Sequence, residues 1–318
     1  MYEITALGES LIDFTPSGTS EAGMRIFEQN PGGAPANALA VFAKFGEKAA
    51  FIGKVGNDMH GLFLKETMEK AGIDTKGMIV SDKVFTTLAF VSLNDQGERE
   101  FSFARKPGAD TCLMEQEVNI DIINETKIFH IGSLSLTDEP CRSATFYALQ
   151  QAKEAGKIIS YDPNYRALLW DSVESAVAGM RSPLDYVDVM KLSDEETKLL
   201  TDIEDPEGAA KALLDKGISL VAVTLGKEGA YVCTKEGGAV VPGFESKVVD
   251  TTGAGDSFWG GFLYQLAKSG KRPEEVTLEE AKSFARFGNA VASLCVEKRG
   301  GIPAMPTMEQ VMERLSTF

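Results

Sequence analysis

Asp250-Thr251-Thr252-Gly253-Ala254-Gly255-Asp256-Ser257-Phe258 is the stretch from which the fold is read. Lys247-Val248-Val249 before it reads as a strand end, and Phe258 to Ala267 after it carries the apolar spacing of a buried helix. A Gly-Ala-Gly turn therefore sits where a helix begins. Peptide N–H groups there have no partner inside the helix, and the macrodipole adds partial positive charge at the same place. Such a spot holds an anion, and phosphate suits it. Asp256 puts a carboxylate where that anion would sit. Two readings stay open on these nine residues: Asp256 caps the helix, or it takes a proton from a nucleophile attacking the phosphate.

Two other phosphate-binding patterns are absent. The chain holds no Gly-x-x-x-x-Gly-Lys-Ser/Thr, which sets a P-loop aside. Gly253-x-Gly255 has Phe258 where a dinucleotide fingerprint carries its third glycine, and it lies late in the chain. Composition narrows the class further. The 318 residues, 43% hydrophobic and 25% charged, fit one α/β domain over residues 1–318. A net charge of −15 argues against nucleic acid and anionic membrane surfaces as partners, so an anionic ligand must be held by local donors and metal. Cys112, Cys141, Cys233 and Cys295 form no Cys-x-x-Cys and read as thiols in a reducing compartment. The opening Met1-Tyr2-Glu3-Ile4-Thr5 reads as a strand instead of a signal peptide, and no apolar run reaches membrane-spanning length. The expected location is the cytoplasm.

Working outward from the glycine turn, Ile4 to Glu9 reads as a first buried strand. In Ser10-Leu11-Ile12-Asp13-Phe14 an isolated acid stands among apolar residues, either a strand-end Asp or an acceptor for substrate hydroxyls. Met24 to Gln29 alternates like a strand. Asn30-Pro31-Gly32-Gly33-Ala34-Pro35-Ala36-Asn37 then opens a helix that runs to Gly46, with Pro35 in its first turn. Its glycines let a ligand approach the backbone. Asn37, a poor helix former, serves as a local cap or bonds a ligand. Lys48 to Gly53 reads as a strand and Met59 to Ala71 as an amphipathic helix. Thr86–Leu93 and Arg99–Arg105 alternate with period two around Asn94-Asp95-Gln96-Gly97, a hairpin signal. With residues 10–30, the 86–106 segment is expected to form a small β-sheet lid.

From there the pattern becomes strand-helix-strand, as in a doubly wound sheet. Lys127–Ile131, Lys157–Asp162, Val187–Leu192 and Leu220–Thr224 read as strands, with a helix from Pro140 to Ala155. Polar clusters follow three of them: Asp162-Pro163-Asn164-Tyr165-Arg166, Ser193-Asp194-Glu195-Glu196 and Leu225-Gly226. Ligands of open α/β sheets lie beyond such carboxyl ends. Helices from Leu278 to Val296 and Met308 to Leu315 close the pattern. The lone histidines His60 and His130 read as structural, and Trp170 and Trp259 as packing groups.

With these pieces in place, the chain resembles the ribokinase-like (PfkB-type) carbohydrate kinases over essentially its full length. Gly32-Gly33-Ala34-Pro35-Ala36-Asn37 matches the first family signature and Asp250 to Phe258 the second. Within the family the layout is most similar to the fructokinase branch; the 2-keto-3-deoxygluconate kinases share the Phe103/Arg105 and Asp162–Arg166 arrangement. The resemblance implies a Rossmann-type three-layer α/β sandwich with a β-lid, and transfer of the γ-phosphoryl of ATP, with Mg²⁺, to a sugar hydroxyl. It implies that Asp256 is the base and that the amides of Gly253, Ala254, Gly255 and Asp256 hold the transferring group, with Arg166 balancing its charge. Asp13, Gly33 and Asn37 would bind the sugar, and Phe103 and Arg105 would line its lid side. Asn164 and Glu196 would act on phosphate or metal-bound water, and Thr224, Gly226 and Asn289 would form the nucleotide pocket. Asp250, Thr252 and Gly300 match a monovalent-cation loop suited to K⁺. Two positions depart from the pattern: Ser193 replaces the Asn of Asn-x-x-Glu, and Ala304 stands where some relatives supply a serine oxygen to the cation. A sugar-binding regulator that keeps the fold without the chemistry is the reading from another class. Because exposed lid strands leave unpaired edges, a homodimer joined through the lids is also expected.

Overall fold

A computed structural model describes residues 1–93 and 99–317. Its strands are β1 (Tyr2–Leu7), β2 (Leu11–Thr19), β3 (Arg25–Gly32), β4 (Ala49–Gly56), β5 (Ile73–Ser81), β6 (Leu88–Leu93) and β7 (Arg99–Ala104). They continue as β8 (Thr126–Gly132), β9 (Ile158–Asp162), β10 (Val189–Ser193), β11 (Leu220–Thr224), β12 (Gly229–Thr234) and β13 (Gly237–Pro242). Nine of them form one sheet in the order β13-β12-β11-β10-β9-β8-β1-β4-β5. It is parallel from β11 to β5 and antiparallel at the β12–β13 edge.

Strands covered on both faces need apolar residues at successive positions, and β1, β8 and β9 supply them. On one face Ile4, Ile128 and Val189 meet Leu39 and Phe42 of the helix Ala34–Lys44, Trp259 and Phe262 of the helix Ala254–Ser269, and Ala285 of the helix Leu278–Cys295. On the other, Leu7, Phe129 and Tyr161 meet Ala144 and Ala148 of Cys141–Glu154, Met180 of Val173–Arg181 and Leu213 of Pro206–Asp215. The result is a three-layer α/β sandwich.

A second sheet, in the order β3-β2-β6-β7, stands apart from the first. Only β2 and β6 run parallel in it. The Asn94-Asp95-Gln96-Gly97 turn lies outside the described residues.

Three features differ from the pattern read in the sequence. β5 is a strand in a segment to which the sequence pattern assigns no element; a register shift between Ala50 and Ile52 of β4 absorbs its irregularity. β12 and β13 extend the sheet past β11, where the glycines at 229, 237 and 238 hide the alternation. Lys247-Val248-Val249 is not a strand end. Val248 and Val249 are exposed, and the backbone there bonds the helix end instead, Val249 N donating to Val296 O at 2.8 Å.

Candidate active site

The helix Ala254–Ser269 begins at Gly253, whose φ of 75° turns the chain into it with no side-chain cap. Ahead of it, the Asp250 carboxylate accepts from Thr252 N (3.0 Å), Thr252 Oγ1 (2.8 Å) and Gly300 N (3.0 Å). These bonds tie residues 250–252 to the 300 loop and hold the turn in place. Ala254 N is already used, donating to Thr251 O at 3.2 Å. The N–H groups of Gly255 and Asp256 have no acceptor among the described residues and remain for an anion.

Asp256 points its Oδ2 at Asn37, whose Nδ2 donates to it at 2.8 Å across 219 residues of sequence. Asn37 belongs to the helix Ala34–Lys44, which also begins at a positive-φ glycine, Gly33 (φ 120°), with Pro in its first turn. The two glycine motifs thus meet through one hydrogen bond. Asp256 is not a plain helix cap, because no backbone N–H bonds its carboxylate. A carboxylate at a helix N-terminus would be expected to hold its proton weakly. Here burial, then the neighbouring charge of Asp162, overrides that effect and pushes Asp256 up to about 6, against the pull of Asn37, Lys191 and Arg166.

Around this floor lies a cleft of about 470 Å³ between the two sheets. Asp13 on β2, Gly33, Asn37 and Phe103 on β7 form one wall; Asn164, Arg166 and Lys191 form the other; Asp250, Thr252 and Gly253 to Asp256 form the floor. At the mouth Arg299 pairs with Glu28 at 3.0 Å, bridging the 300 loop to β3. Both are largely exposed, so the bond is worth about 1 kcal/mol at most.

Several residues expected in the site stand elsewhere. Arg105 is buried, paired with Asp110 at 2.7 Å through Nη2 and donating from Nη1 to Thr137 Oγ1 and from Nη2 to Leu134 O. Asp110 also accepts from Thr87 Oγ1, so the root of β6 and the exit of β7 are fixed to the 134–137 segment. Asn289 donates to the carbonyls of Val241 and Pro242, joining its helix to β13. Both Glu196 oxygens take backbone N–H groups, from Tyr165 at 2.6 Å and Ser193 at 2.7 Å, and so shape the loop carrying Asn164 and Arg166. Thr224 and Gly226 close β11 beside Ser193, outside the cleft lining. Gly300 is joined to the site by its N–H bond to Asp250.

Two lining residues carry no motif signal. Glu9 accepts from Ala34 N through Oε1 at 2.9 Å, and its buried Oε2 has no hydrogen-bond partner among the described residues. Burial drives its pKa up to about 7, partly offset by hydrogen bonds from its own backbone and Ala34. Lys191 on β10 grips both oxygens of Asp162, at 3.0 and 2.9 Å. The parallel register Val189↔Ser160, Met190↔Tyr161 brings these two side by side. Only the sheet pairing reveals that, because 29 residues separate them in sequence. His130 is structural: its Nδ1 meets Ser160 Oγ at 3.0 Å, and the same hydroxyl accepts from Trp259 Nε1 at 2.9 Å. Burial, then Lys191, lowers His130 to about 3, so it stays neutral.

Comparisons with known proteins agree with this geometry. The model of the pfkB family of carbohydrate kinases matches residues 1–308. Fructokinase-2 of Oryza sativa subsp. japonica is 43% identical over 318 residues, covering 98% of this chain and 94% of that one. The crystal structure of fructokinase with bound ATP from Xylella fastidiosa superposes with a TM-score of 0.92 at 33% identity, over 100% of this chain and 99% of that one. A double mutant of fructokinase from Vibrio cholerae O395, in a form with fructose, ADP and potassium ion bound, gives 0.88 at 31% identity, over 99% and 98% of the two chains. With both signatures meeting at one acid and a family match across nearly all of its length, the chain belongs to the pfkB family of carbohydrate kinases.

Proposed function

We propose that the protein transfers the γ-phosphoryl group of ATP to D-fructose, giving fructose 6-phosphate and ADP. One observation carries the reading: the acid at the phosphate-binding helix terminus is bonded to the asparagine of the sugar-binding helix. A hydroxyl held by Asp13, Gly33 and Asn37 then faces Asp256. As the new O–P bond forms and the bond to the ADP oxygen breaks, the hydroxyl proton passes to Asp256. The N–H groups of Gly255 and Asp256 face the charge that gathers on the transferring oxygens. Asp256, with its pKa near 6, is ionised at neutral pH and basic enough to accept that proton.

Asn164 on the opposite wall offers an oxygen, and Glu196, whose carboxylate holds Tyr165 N and Ser193 N behind it, would act through metal-bound water on a Mg²⁺ that would neutralise the nucleotide phosphates. Asp250, Thr252 and Gly300, already joined by hydrogen bonds, fit a K⁺ loop whose charge would steady the floor. Ala304 adds no side-chain oxygen there. Thr224, Gly226 and Asn289 would form the nucleotide pocket, outside the cleft lining, with Asn289 holding β13 through Val241 O and Pro242 O. The small sheet, residues 10–30 with 86–106, acts as a lid that excludes water from the closed site. Exposed Met24, Ile26 and Phe90 on that sheet favour a homodimer through it, and light scattering showing a monomer at micromolar concentration would contradict this. Four free cysteines fit the cytoplasm.

A sugar acid is the less favoured substrate. Arg105, the residue that would answer its carboxylate, is already held by Asp110. A coupled ADP-release assay over fructose, 2-keto-3-deoxygluconate, ribose and adenosine decides the matter. Fructose is expected to give the highest kcat/KM, and a higher value for any other compound would replace the assignment. No turnover of any of them would leave the silent-regulator reading.

A further inference from the structure

Lys191 has no place among the motif residues, yet it reaches from its wall of the cleft to the start of the phosphate-facing helix at Gly255. Lys191 is 5% exposed, its ammonium is held by both Asp162 oxygens, and it lines the cleft beside Asp256. An ammonium has three N–H donors. Asp162 takes two, and the third has no partner among the described residues. A side chain added at Gly255 would place its Cβ 3.0 Å from Lys191 Nζ. Gly255 lies inside the helix, so it is the lysine beneath, and not the backbone angle, that leaves no room there. The charge therefore sits directly under the peptide groups that face the anion.

We propose that Lys191 is a working part of the phosphoryl-transfer site: clamped by Asp162 beneath Gly255, its ammonium supplies fixed positive charge that keeps Asp256 ionised and supports the N–H groups facing the transferring phosphoryl. The inference rests on the kinase reading above. The groups facing Asp256 are Asp162 from β9, Lys191 from β10, Arg166 from the loop after β9, Asn37 from the helix Ala34–Lys44, and Cys295 from the helix Leu278–Cys295. Cys295 is pushed up to about 11, first by burial, and stays neutral. Of the remaining groups Asp162 alone opposes ionisation of Asp256; Lys191 and Arg166 favour it, and Arg166 is exposed on the surface. Burial disfavours the lysine's own charge, but Asp162, Glu196 and Asp256 together hold its pKa above the ordinary value. It is a permanent cation over the working pH range. A neutral floor would leave Asp256 beside Asp162 with no buried counter-charge.

The test is Lys191→Met, read by the pH dependence of kcat and by ¹³C-carboxyl NMR of Asp256, assigned with Asp256→Asn in the absence of sugar and nucleotide. The acid limb of kcat and the NMR midpoint are both expected to move up by roughly one pH unit or more. On the plateau kcat is expected to fall ~10²-fold, as for a lost anion-hole donor. Because the single variant strands a buried carboxylate, Lys191→Met with Asp162→Asn is the second protein. Its midpoint should return toward the native one while kcat stays low. An unmoved midpoint in a folded Lys191→Met protein, or native kcat in the double variant, would overturn the proposal. If the native chain phosphorylates no sugar, the kinase reading fails by itself, and the NMR midpoint still decides the role of Lys191.

Discussion

Two helices enter the cleft by the same local device and are put to different uses. Ala34–Lys44 starts at Gly33 and Ala254–Ser269 at Gly253, both with positive φ and neither with a side-chain cap. At the first, Glu9 fills the open position by accepting from Ala34 N, and no acid stands in the first turn. At the second, the N–H groups of Gly255 and Asp256 stay open and an acid is placed among them. At the first terminus Glu9 takes the Ala34 N–H and Pro35 has none to offer, so fewer donors face the cleft there. The second keeps its donors for an anion. What separates them is the partner brought from elsewhere in the chain, Glu9 from the end of β1 in one case and Lys191 from β10 in the other.

Removing the acid strikes the difference hardest. Asp256→Asn is expected to lower kcat by ~10²–10⁴-fold with KM for ATP little changed, as steady-state kinetics would show. The same Gly→Ala change at each terminus then separates the two roles. Gly255→Ala, pressed against Lys191 Nζ at 3.0 Å, should lower kcat by ~10²-fold. Gly33→Ala, whose Cβ would clash with Glu9 O, should raise KM for fructose about tenfold or more while KM for ATP holds. Equal effects on both substrates would erase the contrast. Asn37→Ala removes the bond joining the termini. A hydrogen bond to a charged group is worth ~1.5–3 kcal/mol, so kcat/KM should fall at least about tenfold. Since that bond lowers the Asp256 pKa, the acid limb of kcat, near pH 6 in the native protein, should also move up.

The smallest effect concerns the terminus held by Glu9 and is read in stability. Glu9 has its folded pKa raised from 4.5 to about 7, so the native state binds the extra proton between those values. Stability is therefore full below pH 4.5 and is lost as pH rises through about 7, by about 3 kcal/mol in all. Glu9→Gln keeps an acceptor for Ala34 N and carries no charge. It should raise Tm by a few degrees at pH 8 and change it little at pH 5. Equal shifts at both pH values would show that Glu9 is not a buried acid.

Much of this was legible in the sequence, and the reasons for the rest are physical. Glycine beside a helix start announces its backbone conformation locally, so both termini could be read from short stretches. The central parallel strands declare themselves by continuous apolar runs. Edge elements do not: β5 breaks its pattern with Asp74, Lys76 and Gly77, and β12–β13 with glycines, because an edge is not covered on every side. Arg105 and Asn289 show the opposite limit. Each is a polar residue at a motif position, but the fold supplies Asp110 to one and two backbone carbonyls to the other, contacts that no local spacing encodes. Lys191 and Glu9 escaped notice for the same reason. A charged residue at a strand end reads as solvated until the pairing of β9 with β10, or the approach of Ala34, shows what it touches.

The account stands on Asp256 receiving the proton of the attacking hydroxyl while the terminal phosphate rests on the N–H groups beside it. A crystal structure of the native protein with fructose and an unreactive ATP analogue tests this directly. The account predicts the 6-hydroxyl about 2.6–3.2 Å from the Asp256 carboxylate, with the terminal phosphorus in line above Gly255. A terminal phosphate seated away from that helix start, or a sugar with no hydroxyl in reach of Asp256, would contradict it.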